Sequence, residues 1–171
     1  MVMIMKILKY GAPELRVQSE RVTSFDDELK KIVVDMFETM YSSPGIGLAA
    51  PQVGINLQLS TIDLSVGADE GKRIVLCNPE IVSSEGSQRG DEGCLSIPDF
   101  SESVTRPLKV VVRGQGIDGE ELRIEAEGLL ARCLCHEIDH LNGILFIDHL
   151  SSLKRTLIKN RIRKLVKAGD W

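Results

Sequence analysis

The densest chemistry in the sequence lies in His136-Glu137-Ile138-Asp139-His140. Two histidines four apart on a helix point the same way, so both imidazoles can reach one metal ion. A glutamate beside the first can handle the proton of a water molecule. Glu127 to Leu141 is apolar on nearly every side (Leu129, Leu130, Ala131, Cys133, Leu134, Cys135, Ile138), which predicts a central buried helix. Two histidines and two acids in such a wall are costly to bury without a shared purpose. The competing reading is a chance occurrence of a short pattern with three fixed positions.

The third ligand decides the class of metal site. A third histidine six residues after His140, the metzincin arrangement, is absent because Phe146 stands there. A downstream glutamate, as in thermolysin-like sites, is also absent, since none follows Glu137. The ligand must come from upstream or be Asp148 or His149. Cys133 shares the helix face of His136 but lies seven residues from His140, roughly 10 Å along the axis. One ion with bonds of about 2.0 to 2.3 Å cannot easily bridge that span. Cys135 points away from the histidine face. Cys94, in Glu92-Gly93-Cys94-Leu95-Ser96, comes after a loop-like stretch that could fold over the helix. The alternative for Cys94 is a small buried residue.

Gly45-Ile46-Gly47-Leu48-Ala49-Ala50-Pro51-Gln52 is a third feature. It lacks the Gly-Lys-Ser/Thr of a phosphate cradle, and the segment after it reads as extended rather than helical. Its glycines suit close approach of backbone to a ligand. A helix end and a tight turn would explain Gly45 but not the run through Gln52.

These segments need elements to position them. Ser24 to Tyr41 repeats Leu29, Ile32, Val33, Met36, Phe37 and Met40 at helical spacing, with Ser24 and Asp27 as a capping box. Leu57 to Leu64, Arg73 to Val82 and Leu108 to Val112 read as strands, and Gly67–Gly71 and Ser83–Gly93 as loops. Gly143 stands where the central helix should end. A last helix, about Ser152 to Lys167, is expected to turn Leu153, Leu157, Ile158, Ile162, Leu165 and Val166 inward and its basic residues outward. Neither an internal repeat nor a linker interrupts the chain. The order predicts an α+β fold, one catalytic domain over residues 1–171: antiparallel or mixed sheets around the metal-binding helix, plus a C-terminal amphipathic helix.

The chain has 171 residues, 43% hydrophobic and 27% charged, a globular composition. Nothing approaches the roughly 20 apolar residues of a membrane helix, and the start lacks the layout of a secretory signal. Four cysteines without such a signal favour metal or catalytic use over disulfides, so a cytoplasmic location is expected. The net charge of -4 argues against a DNA-binding surface. Yet Leu150 to Trp171 carries seven basic residues and one acid, leaving 14 basic and 24 acidic residues upstream. That asymmetry points to an anionic partner for the C-terminal helix.

Together, in this order, the three segments resemble the peptide deformylase family, whose motifs are G-x-G-x-A-A-x-Q, E-G-C-x-S and H-E-x-x-H. Every fixed position matches, and the likeness runs from Pro13-Glu14-Leu15-Arg16 through Phe146-Ile147-Asp148. The resemblance implies removal of the N-formyl group from the formylmethionine of newly made proteins, releasing formate. It implies that Cys94, His136 and His140 bind the metal and that Glu137 moves the water's proton to the departing amine. The Gln52 amide and Leu95 backbone N–H would hold the oxyanion, donors of a kind that contribute ~3 to 4 kcal/mol each. Gly45, Ile46 and Gly47 would line the cleft, with the peptide added as a strand. Leu129 and Cys133 would join Ile46 and His136 around the methionine side chain.

One thiolate and two imidazoles suggest Zn²⁺ by ligand chemistry. The resemblance implies Fe²⁺ instead, replaceable by Ni²⁺, Co²⁺ or Zn²⁺, with air sensitivity through iron and Cys94. It also implies nascent peptides as partners, ribosomal RNA as a partner for the basic helix, and a bacterial cytoplasm or an organelle as the setting. Cys135 stands where many relatives have Gln, His149 where many have Arg, and Arg132 at an often apolar position, predicted to alter the pocket rim. Asp139 either orients a ligand or lies on the helix surface. Two other functions compete: a protease cutting internal peptide bonds, and a silent module with structural zinc, which would not need Glu137.

Overall fold

The computed structural model describes residues 2–171. Helix α1 spans Asp27–Ser42 and buries Leu29, Val33, Met36, Phe37 and Met40 of the predicted stripe, with Ile32 half-buried at its edge. Its cap differs from the expected box. Asp26, not Ser24, accepts from the Leu29 N–H at 3.0 Å, and the Ser24 hydroxyl donates to Asp26 at 2.6 Å. An aspartate there also meets the positive end of the helix dipole. The N-terminal segment is pinned along α1, because Met3 N–H donates to Asp35 and Met5 N–H to Thr39, both at 2.8 Å.

Seven strands come next: β1 (Gly47–Ala49), β2 (Leu59–Ile62), β3 (Ile74–Glu85), β4 (Gln88–Cys94), β5 (Ile97–Arg106), β6 (Lys109–Gln115) and β7 (Glu121–Glu127). Five form an antiparallel sheet in the order β1-β2-β3-β6-β7, and β4 and β5 pair as a separate antiparallel hairpin. The only parallel pairing among the described residues is an isolated bridge between Glu20 and Leu57. Ser83–Gly93, expected to be a loop, is the end of β3, a turn and most of β4. Its composition is polar because much of this strand pair faces solvent, and its pairing comes from β5 and β6.

Helix α2 (Leu129–Leu141) runs across the sheet, with Ala131, Leu134, Cys135 and Ile138 packed on Ile62, Leu76, Val110 and Val112. Gly143, at φ 72°, turns the chain out of it. A second core joins the hairpin (Ile97, Phe100, Val104) to Phe146, Ile147 and the C-terminal helix α3 (Ser152–Ala168). Of the six apolar side chains expected to face inward on α3, Ile158 and Ile162 are buried, while Leu153, Leu157 and Val166 are exposed. Its apolar stripe is therefore narrower than predicted. No helix among the described residues is long and apolar enough to cross a membrane.

Candidate metal centre and catalytic cleft

Three elements meet over α2. The helix supplies His136, Glu137 and His140 from adjacent turns, the hairpin supplies Cys94 from the end of β4, and the turn after β1 supplies Gln52. His140 Nε2 lies 3.2 Å from His136 Nε2 and 3.2 Å from Cys94 Sγ, and the three ligand atoms lie within 4.8 Å of one another. Tetrahedral bonds of about 2.0 to 2.3 Å separate donor atoms by about 3.3 to 3.8 Å, so the spacing fits one ion. A thiolate with two imidazoles is a transition-metal donor set. The other candidates for the third ligand lie elsewhere: His149 contacts Asp139 at 2.7 Å, and Asp148 pairs with Arg16.

Glu137 is 3% exposed, and its Oε2 has no hydrogen-bond partner among the described residues. Burial pushes its pKa up to about 7, against the lowering influence of His136. Its carboxylate lies against Gly47: a Cβ there would sit 2.3 Å from Glu137 Oε1. No larger residue fits at Gly47 without moving the carboxylate.

Gln52 is 1% exposed and held at both ends of its amide. Its Oε1 accepts from Ala49 N–H at 2.9 Å, which turns the NH₂ toward Ser96 Oγ at 3.1 Å and Cys94 Sγ at 3.5 Å. Leu95 comes after Cys94 in the turn between β4 and β5, and its side chain packs on Gly45. Gly45, Ile46, Gly47, Leu129 and Cys133 line one cleft of about 1030 Å³ with Gln52, Cys94, Leu95, His136 and Glu137. His140 lies deeper, 1% exposed. Leu129, by contrast, is 56% exposed at the mouth.

A buried charge network stands behind the ligands. Glu92 accepts from Arg106 through Nε (2.8 Å) and Nη2 (3.0 Å) and from Arg132 Nη1 (2.8 Å), and its Oε2 lies 3.1 Å from His136 Nδ1. Burial opposes ionisation of Glu92, but Arg106 and His136 hold its carboxyl well below the usual range. Arg106 also binds Asp139 Oδ2 at 2.6 Å, so Asp139 reaches His136 only through Arg106 and Glu92. Arg132 lines the cleft as expected, but it is folded into the hairpin, donating to the carbonyls of Val104 and Gly90 at 3.0 and 3.2 Å. Sequence reasoning gave Glu92 no role of its own, although it belongs to the E-G-C motif. Arg106 carried no signal at all, because an arginine in a strand looks like a surface residue.

A family model described as polypeptide deformylase matches residues 4–156. The chain belongs to the peptide deformylase family. It is 53% identical to a peptide deformylase of Acidobacterium capsulatum, over 99% of both chains. The crystal structure of a peptide deformylase from Legionella pneumophila superposes with a TM-score of 0.90 at 46% identity, covering 97% of each chain. One from Synechococcus elongatus, solved in complex with actinonin, gives 0.87 at 43% identity, covering 96% of this chain and 88% of that one. Membership of the peptide deformylase family makes the chain a hydrolase that removes N-formyl groups from nascent peptides.

Proposed function

We propose that the chain is one catalytic domain in which Cys94, His136 and His140 hold an Fe²⁺ ion and Glu137, Gln52 and Leu95 carry the reaction. The observation that carries this reading is the convergence of the three ligand atoms within 4.8 Å beside a buried glutamate with an unpartnered oxygen. When bound, the ion supplies Lewis acidity to the formyl carbonyl and to a water molecule.

Glu137 takes a proton from the attacking water as its oxygen bonds to the formyl carbon. It then delivers that proton to the amine nitrogen as the C–N bond breaks, leaving formate and a free methionyl N-terminus. The Ala49 anchor fixes the Gln52 amide with its NH₂ beside Cys94. There the long 3.5 Å contact to Cys94 Sγ gives way to a developing oxyanion while the Ser96 contact holds the group; the Leu95 N–H is its partner. Among the described residues β1 pairs only with β2, so its outer edge, continued upstream through Ile46 and Gly45, takes the peptide as an added strand. The methionine side chain enters between Ile46, Leu129 and Cys133.

The partners in this reading are formylmethionyl nascent chains and, through the basic face of α3, ribosomal RNA. The setting is a bacterial cytoplasm or an organelle that starts its proteins with formylmethionine. Purification without oxygen and loading with Fe²⁺, Ni²⁺ or Zn²⁺, then measurement of kcat/KM on formyl-Met-Ala-Ser, tests the choice of metal. The Fe²⁺ and Ni²⁺ forms are expected to lead. A Zn²⁺ form that equals them would remove the case for iron.

A further inference from the structure

Three histidines occur in the chain, and two of them are the proposed ligands. The third, His149, ends the short helical turn Phe146–His149 and does not line the cleft. Its Nε2 sits 2.7 Å from Asp139 Oδ2 and 3.2 Å from Arg106 Nη1. A ring nitrogen that close to a carboxylate oxygen carries its proton, because a bare lone pair would otherwise face another there. His149 therefore donates to Asp139. Arg106 Nη1 donates to the same oxygen at 2.6 Å, so the close approach of the two nitrogens is that of two donors sharing one acceptor.

From there the bonds run inward without a gap. Arg106 uses Nη1 on Asp139 and both Nε and Nη2 on Glu92, and Glu92 Oε2 lies 3.1 Å from His136 Nδ1. The order is histidine, carboxylate, guanidinium, carboxylate, histidine: His149, Asp139, Arg106, Glu92, His136. It ties α2 to both strands of the hairpin and to the turn that follows α2. Two carboxylates (Glu92, Asp139) face two guanidinium groups (Arg106, Arg132), so the cluster balances without a charge on His149. What His149 adds is a hydrogen bond, given to the carboxylate nearer water. The Asp139 side chain is 19% exposed and that of His149 36%, whereas Glu92 and Arg106 are buried.

We propose that His149 is a positioning residue for the metal ligand His136, acting through Asp139, Arg106 and Glu92. The inference rests on the reading of His136 as a ligand. By holding Asp139 Oδ2, the His149 N–H keeps that carboxylate on Arg106 rather than in water. Asp139 then draws part of the Arg106 charge away from Glu92, which leaves Glu92 the stronger acceptor for His136 Nδ1–H. A stronger acceptor at Nδ1 makes Nε2 the better metal donor and fixes the plane of the ring. Without His149, Asp139 turns to solvent and the Arg106 charge falls on Glu92 alone. His136 then loses both basicity and orientation.

The test uses Zn²⁺-loaded protein, isotope-labelled in its histidine nitrogens for NMR, and compares the parent with His149→Leu, His149→Gln and His149→Asn. In His149→Leu the His136 Nδ1 proton should move upfield, as a weakened hydrogen bond requires, while the His140 ring signals stay in place. Zn²⁺ affinity per folded chain, read by chelator competition, should fall about 3- to 10-fold, less than the roughly 10- to 100-fold typical of losing a direct partner. A glutamine amide nitrogen reaches the place of Nε2 and an asparagine nitrogen that of Nδ1. His149→Gln should therefore restore both readings and His149→Asn should not. A merely structural contact would lower stability without singling out His136. Parent affinity with an unmoved His136 signal in His149→Leu would overturn the proposal while leaving the deformylase reading intact, as would equal rescue by asparagine and glutamine. A parent protein whose His136 signals do not respond to Zn²⁺ would overturn the ligand assignment itself and the proposal with it.

Discussion

Glu92 is neither a proposed ligand nor a proposed base, yet both arginines and His136 meet at its carboxylate. A buried carboxylate shared in this way fixes which His136 nitrogen faces the ligand cluster, since the other ring nitrogen is held by Glu92. Replacing Glu92 with glutamine keeps its shape but leaves buried Arg132 without a counter-charge and Arg106 with Asp139 alone. The variant should lose about 3 to 5 kcal/mol of unfolding free energy in urea. Its metal affinity, read by chelator competition, should fall about 10- to 100-fold. Wild-type stability and affinity together would show that the network is ornamental. At this scale the sequence was most informative where the chemistry is written in local spacing. His136, Glu137 and His140 emerge from adjacent turns of one helix, whereas the choice among Cys94, Asp148 and His149 depended on where a hairpin lands. The Arg106–Glu92 pair, fourteen residues apart across β4 and β5, could not be read from spacing.

The elements divide in the same way. α1 and α2 announce themselves through apolar stripes, because their inward faces pack on continuous cores. β4 does not, because its side chains are polar on the outside and charged on the inside, where Glu92 meets the arginines. The β2–β3 connection shows how one residue organises an element. Asp63 is fully buried, accepting from Ser65 N–H and hydroxyl, Tyr41 hydroxyl and Gly67 N–H at 2.6 to 2.9 Å. Burial opposes its charge, but these four donors hold its carboxyl well below the usual range. A carboxylate with a depressed folded pKa contributes stability that is complete above its unfolded value of about 3.9 and lost as pH falls toward the folded one. Asp63→Asn should therefore be less stable than the parent by about 2 kcal/mol at pH 7. The gap should narrow progressively below about pH 4, measured by urea unfolding across pH. A gap independent of pH would mean that the Asp63 charge contributes nothing.

Over the whole molecule, the acidic body and basic tail remain the clearest global feature, and the structure refines which charges are free. Lys154 is spent on Glu102 at 2.6 Å and Arg161 lies over Phe100, leaving Arg163, Lys164 and Lys167 exposed at the end of α3. Truncation at Asn160 would also remove buried Ile162, so charge reversal is the cleaner probe of ribosome docking. Changing Arg163, Lys164 and Lys167 to glutamate should weaken binding to ribosomes and flatten its dependence on salt; unaltered binding would eliminate the docking role. The central claim concerns the cleft itself: that Glu137 moves the proton while Cys94, His136 and His140 hold the ion. It is tested most directly by measuring formate release from formyl-Met-Ala-Ser alongside metal content, in the parent enzyme and in Glu137→Ala, both loaded without oxygen. The expected result is one bound ion in each protein, with turnover reduced at least about 100-fold in the variant. Equal turnover at equal metal content would contradict it.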